Sequence, residues 1–273
     1  MNPDVFDLSA TAAHNRNADL RSASSVLVVE DEALIALDLQ NTLRDLGYRD
    51  VYRCADGPTA ESLAEEHLPD VALMDIKIDG AQDGVETAEH ICSNQGIPVV
   101  FLTAHTDRTT IRRALSISPY GYLVKPWSRT ELDSTLQTAI TRHRSERVVR
   151  ARERHFRTIF EQSLIPIMIY DAAGRLVDAN REAATFFGVE SVDALRGRAL
   201  ADEQFFDPQA VGDEYPKTSL RYDTTIDEPR PAGTVVGGGA VRMVDVGITI
   251  IESELHSDDV EYMVQLVEHR TGR

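Results

Sequence analysis

The chain has 273 residues, of which 42% are hydrophobic and 27% are charged, and its formal net charge at pH 7 is −17. This length suits two domains with a core each, and the acidic balance argues against DNA or an anionic membrane as the main partner. There is neither a run of 18 apolar residues nor a signal-peptide pattern, so we expect no membrane segment. The only cysteines, Cys54 and Cys92, are not spaced as a metal pair. These features together predict a cytoplasmic protein.

The first part of the chain predicts an α/β fold. Residues 1–24 are polar and lack a sustained period, which predicts a disordered tail. Strand-like segments then alternate with helical patterns, and the first helix is stopped by Gly47. The strands are predicted near residues 26–30, 50–54, 70–75, 98–102 and 120–124. Five βα units of this kind predict a doubly wound parallel sheet with helices on both faces.

Polar side chains follow four of these strands. They are Glu30 with Asp31, Asp75, Thr103 and Lys125. Taken alone, Asp75 could be a helix cap, a metal ligand or a nucleophile, but open α/β sheets place their ligands at this edge. Clustered carboxylates repel one another unless cations neutralise them, and hard oxygen ligands suit Mg²⁺. The pattern therefore indicates phosphoryl transfer to Asp75, with Mg²⁺ and Lys125 on the phosphoryl oxygens and a hydrogen bond from Thr103.

An acid pair, D-x-K, T-A and Y-L-x-K-P occur in this order, and residues 25–143 resemble a response-regulator receiver domain. The resemblance implies a flavodoxin-like (βα)5 fold with Asp75 as phosphoacceptor, assisted by Thr103 and Lys125. It also implies that Thr103 and Tyr122 act as switch residues. The implied Mg²⁺ ligands are Glu30, Asp31, Asp75 and the backbone carbonyl of Lys77. The loop after Asp75 departs from the family pattern because it lacks a proline and is one residue longer.

A basic helical segment follows. Ser128 is expected to cap a helix that runs to about Ser163, and residues 144–155 form the predicted linker. Residues 142–157 carry seven arginines against two glutamates. A solvated helix that pairs with acidic surfaces of its own chain is the favoured interpretation, and nucleic-acid binding through this segment is the alternative. A stripe that includes Val149, Phe156 and Phe160 fits either a coiled-coil seam or packing onto the next domain.

Residues 156–273 resemble a PAS domain, an α+β fold with an antiparallel sheet. A predicted hairpin over residues 166–179 leads to Asn180, which is expected to cap a short helix that ends at Gly188. Later strands are predicted near 217–226, 240–252 and 259–269, with a mobile loop at 228–239. The resemblance allows haem, flavin, a metabolite or dimerisation alone. This half has no cysteine, and no histidine lies between residues 156 and 255, which argues against cysteine-linked flavin and histidine-ligated haem. The PAS ligand and its binding residues stay unknown.

Together these features predict a two-component response regulator. A sensor histidine kinase or phosphotransfer protein would phosphorylate Asp75. The chain itself is expected to be no enzyme beyond self-catalysed phosphorylation and dephosphorylation. The expected output is protein–protein contact through the PAS domain, with a homodimer through the linker helix and PAS domain left open, and no DNA-binding domain is recognised. The alternative is an N-terminal fragment of a hybrid sensor histidine kinase, although His143 and His155 are expected to be exposed members of a charged helix.

Overall fold

The computed structural model describes residues 20–104, 108–206, 220–227, 241–252 and 260–268. The chain divides into two units, Met1–Arg150 and Ala151–Arg273. The predicted mobile loop at 228–239 lies outside the described residues.

The first unit contains a five-stranded parallel sheet, as predicted. Its strands are β1 (Ser25–Val29), β2 (Asp50–Cys54), β3 (Val71–Asp75), β4 (Val99–Thr103) and β5 (Gly121–Val124), in the order β2-β1-β3-β4-β5. The helices between and after them are α1 (Ala33–Leu46), α2 (Gly57–His67), α3 (Gly84–Gln95), α4 (Arg108–Ser116) and α5 (Arg129–Gln162). The (βα)5 fold class is therefore confirmed.

The central strands β1, β3 and β4 are buried on both faces, which explains their apolar runs, whereas the edge strand β2 has exposed and buried residues. All five residues of β3 are buried. One face packs against α2, α3 and α4, and the other packs against α1 and α5. Gly47 ends α1 as predicted, and its φ of 103° lies in the left-handed region that glycine adopts without strain.

Residues 20–24 were predicted to belong to the disordered tail, but they have a defined structure. Residues 20–22 are helical, and Ser24 is buried. The Arg21 guanidinium donates two hydrogen bonds to Asp133 of α5, at 2.9 and 2.6 Å. A single helical turn has no period for a sequence pattern to detect, and this turn is held by a residue 112 positions away.

The first unit also extends further than the predicted boundary at residue 143. Arg144 donates to Asp70 Oδ1 and to Ser24 Oγ, both at 2.9 Å. Glu146 accepts a hydrogen bond of 2.6 Å from the Tyr120 hydroxyl. The expected pairing of the arginines with the chain's own acidic groups is thus confirmed at Arg144. His143, predicted to be exposed, is instead half-buried, with its ring 5.4 Å from that of Tyr120.

The second unit contains an antiparallel sheet, which confirms the predicted α+β class. Its strands are β6 (Ile167–Tyr170), β7 (Leu176–Ala179), β8 (Leu220–Asp227), β9 (Val241–Glu252) and β10 (Val260–Glu268), in the order β7-β6-β10-β9-β8. A short helix, α6 (Arg181–Phe187), follows the first hairpin. Of the helices that the described residues form, none is long and apolar enough to cross a membrane.

The buried side chain of Asn180 makes four hydrogen bonds in the second unit. Its side-chain oxygen accepts from the backbone N–H of Ala183, which confirms the predicted helix cap, and from that of Ile167. Its side-chain nitrogen donates to the carbonyls of Phe160 and Ile165. The fully buried amide is thus satisfied on both sides, and it holds the end of α5 against the first hairpin.

Candidate functional site

The predicted site residues meet at the carboxyl edge of the parallel sheet. Glu30 directly follows β1, Asp75 and Thr103 are the last residues of β3 and β4, and Lys125 directly follows β5. Parallel pairing places Asp75 opposite Leu102, and Thr103 opposite Val124. Because all four strands run in the same direction, side chains that are far apart in sequence come together at one edge.

Lys125 bridges two carboxylates at this edge. Its Nζ donates to Asp75 Oδ2 at 2.6 Å and to Glu30 Oε2 at 2.7 Å. Burial of the amine favours its neutral form, but the two carboxylates outweigh this effect and raise the pKa of Lys125. The ammonium group therefore stays charged at neutral pH.

Glu30 is the most buried member of the site, with 1% of its surface exposed. Burial and the charge of Asp75 raise the pKa of Glu30 above its ordinary value, while the hydrogen bond from Lys125 opposes this effect. Its second oxygen, Oε1, accepts from the backbone N–H of Glu32 at 3.4 Å. Both carboxylate oxygens of Glu30 are thus engaged by the protein.

Three carboxylates form a group that fits a divalent cation. Glu30, Asp31 and Asp75 each offer an oxygen, and the three oxygens lie within 4.8 Å of one another. Asp75 is oriented by the backbone N–H of Lys77, which donates to its Oδ1 at 3.0 Å. Oxygen donors at this density and charge match the ligand preference of Mg²⁺.

The two predicted switch residues lie beside this group. Thr103 is half-buried, and its backbone carbonyl accepts from the N–H of Lys125 at 2.8 Å. Among the described residues, no hydrogen bond joins its hydroxyl to Asp75. The Tyr122 ring stacks on Phe101 with centroids 6.0 Å apart, and its buried hydroxyl has no hydrogen-bond partner in the described part of the chain. An inward turn of Tyr122 would therefore start from a half-buried ring.

Two features of the site were missed by the sequence reasoning. Gly84, at the start of α3, lies so close to Asp75 that a Cβ added there would be 1.8 Å from the Asp75 carbonyl oxygen. Asp83 forms a capping box with Glu86 and binds Arg113 of α4. The Asp-x-x-Glu spacing was a readable signal for the cap, whereas the contact with Arg113 had none.

Comparisons with known proteins support the resemblance to a receiver domain and a PAS domain. The sequence model of the response regulator receiver domain matches residues 26–137, and that of a PAS domain matches residues 154–220. The transcriptional regulatory protein PdtaR of Mycobacterium tuberculosis is 41% identical over 128 residues, which cover 47% of this chain and 62% of PdtaR. This chain thus matches less than two thirds of the length of that relative.

Two solved receiver-domain structures are similar to this chain. That of a modulated diguanylate cyclase from Desulfovibrio desulfuricans G20 has 37% sequence identity and a TM-score of 0.44, covering 45% of this chain and 98% of its own. That of the sensor histidine kinase PA1611 from Pseudomonas aeruginosa PAO1, with magnesium coordinated in its active-site cleft, has 33% identity and a TM-score of 0.40. It covers 43% of this chain and 98% of its own. The family matches and the two sheets together show that the chain contains a response regulator receiver domain followed by a PAS domain.

Proposed function

We propose that this protein is a two-component response regulator that accepts a phosphoryl group on Asp75 from a sensor histidine kinase or a phosphotransfer protein. The observation that supports this most is the bridge from Lys125 Nζ to Asp75 and Glu30 within a cluster of three carboxylates. A cytoplasmic location follows from the same proposal, because the kinase donor acts there. Neither the structure nor the comparisons favour the hybrid-kinase or the nucleic-acid alternative.

The residues divide the work of phosphoryl transfer. A carboxylate oxygen of Asp75 forms a bond to phosphorus while the bond from phosphorus to the donor nitrogen breaks, which leaves an acyl phosphate on Asp75. The Lys125 ammonium moves its hydrogen bond to a phosphoryl oxygen, and the Thr103 hydroxyl donates another. Glu30, Asp31, Asp75 and the Lys77 carbonyl would hold Mg²⁺, which supplies positive charge against the phosphoryl oxygens. Beyond self-catalysed phosphorylation and dephosphorylation, we propose no enzymatic activity.

The test is the intact mass of the full chain after incubation with acetyl phosphate and Mg²⁺. One phosphoryl group should be gained, and Asp75→Asn should gain none. Asp79→Asn is the matched control, because Asp79 is an exposed acid in the loop that follows the same strand. Undiminished phosphorylation of Asp75→Asn would refute the assignment.

We further propose that the output is protein contact, including a homodimer through α5 and the PAS domain. The ambiguous apolar stripe of α5 separates into two groups in the structure. Phe160 is 3% exposed and packs against Ile167 and Ile169 of the PAS domain. In contrast, Val148, Val149, Phe156 and Ile159 are 51–63% exposed. Val149 and Phe156 are seven residues apart, and Ile159 follows three later, which is the spacing of a coiled-coil seam. Sedimentation velocity of the full chain tests this part of the proposal.

A further inference from the structure

We propose that Arg113 of α4 is a positioning residue for the phosphoacceptor, and that it acts through Asp83 on the backbone behind Asp75. This inference rests on the proposed function of Asp75. It concerns the loop between β3 and α3, in which this chain departs from the family pattern by lacking a proline and by having one residue more.

The first contact joins two helices. Arg113 donates to both carboxylate oxygens of Asp83, from Nη1 to Oδ2 at 2.6 Å and from Nη2 to Oδ1 at 3.3 Å. Its Nη2 is also 3.5 Å from Glu86 Oε1. The planar guanidinium therefore binds Asp83 in the two-point geometry that fixes orientation as well as distance.

The second contact fixes the start of α3. The same Asp83 carboxylate accepts from the backbone N–H groups of Val85 and Glu86, both at 3.0 Å, while the Glu86 side chain accepts from the N–H of Asp83. Burial opposes ionisation of Asp83, but the hydrogen bonds from Arg113 and these N–H groups outweigh it and lower the pKa of Asp83. One carboxylate thus holds both the end of the loop and α4.

The third contact reaches the acceptor itself. Gly84 follows Asp83, and its N–H donates to the carbonyl of Ile76 at 3.2 Å. A Cβ on Gly84 would lie 1.8 Å from the carbonyl oxygen of Asp75, so the two backbones are in direct contact. Asp83 is therefore connected, through its neighbour Gly84, to the backbone of Asp75 and Ile76.

A chain of contacts thus runs from Arg113 through Asp83 and Gly84 to Asp75. A proline would make this loop rigid, but the loop has none. The Arg113–Asp83 ion pair and the Asp83 helix cap hold the end of the loop instead. Helix α4 is the first helix after Thr103, the predicted switch residue. The Arg113–Asp83 contact therefore also links this helix to the loop that follows Asp75. Loss of the Arg113–Asp83 pair should loosen residues 76–84, weaken Mg²⁺ binding and slow phosphorylation of Asp75.

The test compares Arg113→Gln with Arg112→Gln in the full chain. Arg112 is exposed and has no ion pair with a described residue, so it controls for the loss of charge. Hydrogen exchange of residues 76–84 should become about two- to fivefold faster in Arg113→Gln, in line with the strength of a half-exposed ion pair. The midpoint of a Mg²⁺ titration should rise, and the rate of phosphorylation by acetyl phosphate should fall. Arg112→Gln should change none of these.

A second variant identifies the route. Asp83→Asn keeps a helix-capping side chain but removes the charge that binds Arg113. The double variant should therefore lose little more than Asp83→Asn alone, because the two residues act through one contact. The proposal would be overturned if Arg113→Gln had the same hydrogen exchange or the same Mg²⁺ midpoint as Arg112→Gln. It would also be overturned if exchange in Arg113→Gln were faster while its Mg²⁺ midpoint and phosphorylation rate were unchanged. Failure of the unaltered chain to be phosphorylated on Asp75 would instead refute the proposed function.

Discussion

At the scale of single residues, Glu30 and Asp31 have the same charge but different partners. Glu30 is buried, with its oxygens bonded to Lys125 and to the N–H of Glu32. Asp31 is half-buried, and its carboxylate oxygen lies within 4.8 Å of the ligand oxygens of Glu30 and Asp75. The neighbours of each acid thus suggest a direct metal ligand at Asp31 and an indirect one at Glu30.

We therefore expect Asp31→Asn to weaken Mg²⁺ binding more than Glu30→Gln. A unit charge about 4 Å from a divalent ion is worth about 2 kcal/mol even at the dielectric constant of water, so the loss at Asp31 should be about tenfold or more. Titration of Trp127 fluorescence measures this, because the only tryptophan is two residues after Lys125. Equal losses in the two variants would contradict the ranking.

Gly84 provides a second prediction at this scale. Gly84→Ala must displace the backbone of Asp75, because the new Cβ would be 1.8 Å from its carbonyl oxygen. We expect a loss of about 1–3 kcal/mol in the free energy of unfolding and slower phosphorylation of Asp75. Denaturant unfolding and intact mass measure the two effects.

The control for this substitution is Gly96→Ala, at the other end of α3. Gly96 has a φ of 67° and open space around its Cβ position, so alanine should cost about 1 kcal/mol of backbone strain. It should nevertheless leave phosphorylation unchanged. A similar loss of phosphorylation in both variants would mean that general destabilisation, not the contact with Asp75, is responsible.

At the scale of elements, the first half of α5 is clamped to the receiver domain by Tyr120. The Tyr120 hydroxyl donates to Glu146 at 2.6 Å, and the hydroxyl oxygen is 3.2 Å from His143 Nδ1. The Arg142 guanidinium lies 5.1 Å from the centroid of the Tyr120 ring. Burial, the hydrogen bond to Glu146 and the charge of Glu146 raise the pKa of Tyr120 to about 12. The same hydrogen bond lowers the pKa of Glu146.

Tyr120→Phe removes only the hydroxyl of this clamp. We expect it to reduce the free energy of unfolding by about 0.5–1.5 kcal/mol at pH 7. Because the folded-state pKa of Tyr120 is raised, its contribution is complete below the unfolded value of about 10 and is lost as the pH rises towards 12. The difference in thermal midpoint between Tyr120→Phe and the unaltered chain should therefore shrink above pH 10.

The stabilisation by Glu146 depends on pH in the opposite direction. Its lowered pKa means that its stabilisation is present above the unfolded pKa of a glutamate and is lost as the pH falls below it.

Tyr52→Phe is a suitable control for Tyr120→Phe, since the Tyr52 hydroxyl makes no hydrogen bond to a described residue and its ring stacks on His67. A Tyr120→Phe variant as stable as Tyr52→Phe at pH 7 would argue against the clamp.

At the scale of the whole molecule, the two sheets and the meeting of polar side chains at one sheet edge were predictable, whereas the side-chain contacts that hold the helices in place were not. The central strands β1, β3 and β4 are buried on both faces, so they appear as apolar runs. Because the strands run in the same direction, their polar ends come together at one edge. The pairs Arg113–Asp83, Tyr120–Glu146 and Arg21–Asp133 join residues 30, 26 and 112 positions apart. Each depends on where a helix comes to rest, which no local pattern encodes. The same cause applies to Arg144, whose contacts with Ser24 and Asp70 lie outside any local pattern.

The last prediction concerns how the receiver domain communicates with the rest of the chain. Helix α5 is continuous from Arg129 to Gln162, and its first half is fastened to the receiver domain by Tyr120 and Asp70. On phosphorylation, Thr103 is expected to move towards the phosphoryl oxygens and Tyr122 to turn further inward, which repacks β5 and its neighbours. Tyr120 immediately precedes β5, so repacking of this strand should reach α5 through the clamp. Such a change is a shift between two packings that tolerate the phosphoryl group differently.

We therefore expect beryllofluoride, a phosphoryl mimic, to change either the hydrogen exchange of residues 128–163 or the dimer fraction in sedimentation velocity. Thr103→Ala should reduce the change without preventing phosphorylation, because the acceptor and its lysine are intact. Tyr120→Phe should leave the response near Thr103 unchanged and weaken the response beyond residue 146. This substitution removes the hydrogen bond between Tyr120 and α5 but leaves Thr103 and Tyr122 intact. Exchange and sedimentation profiles that are identical with and without the mimic would show that α5 is a passive tether between the two domains.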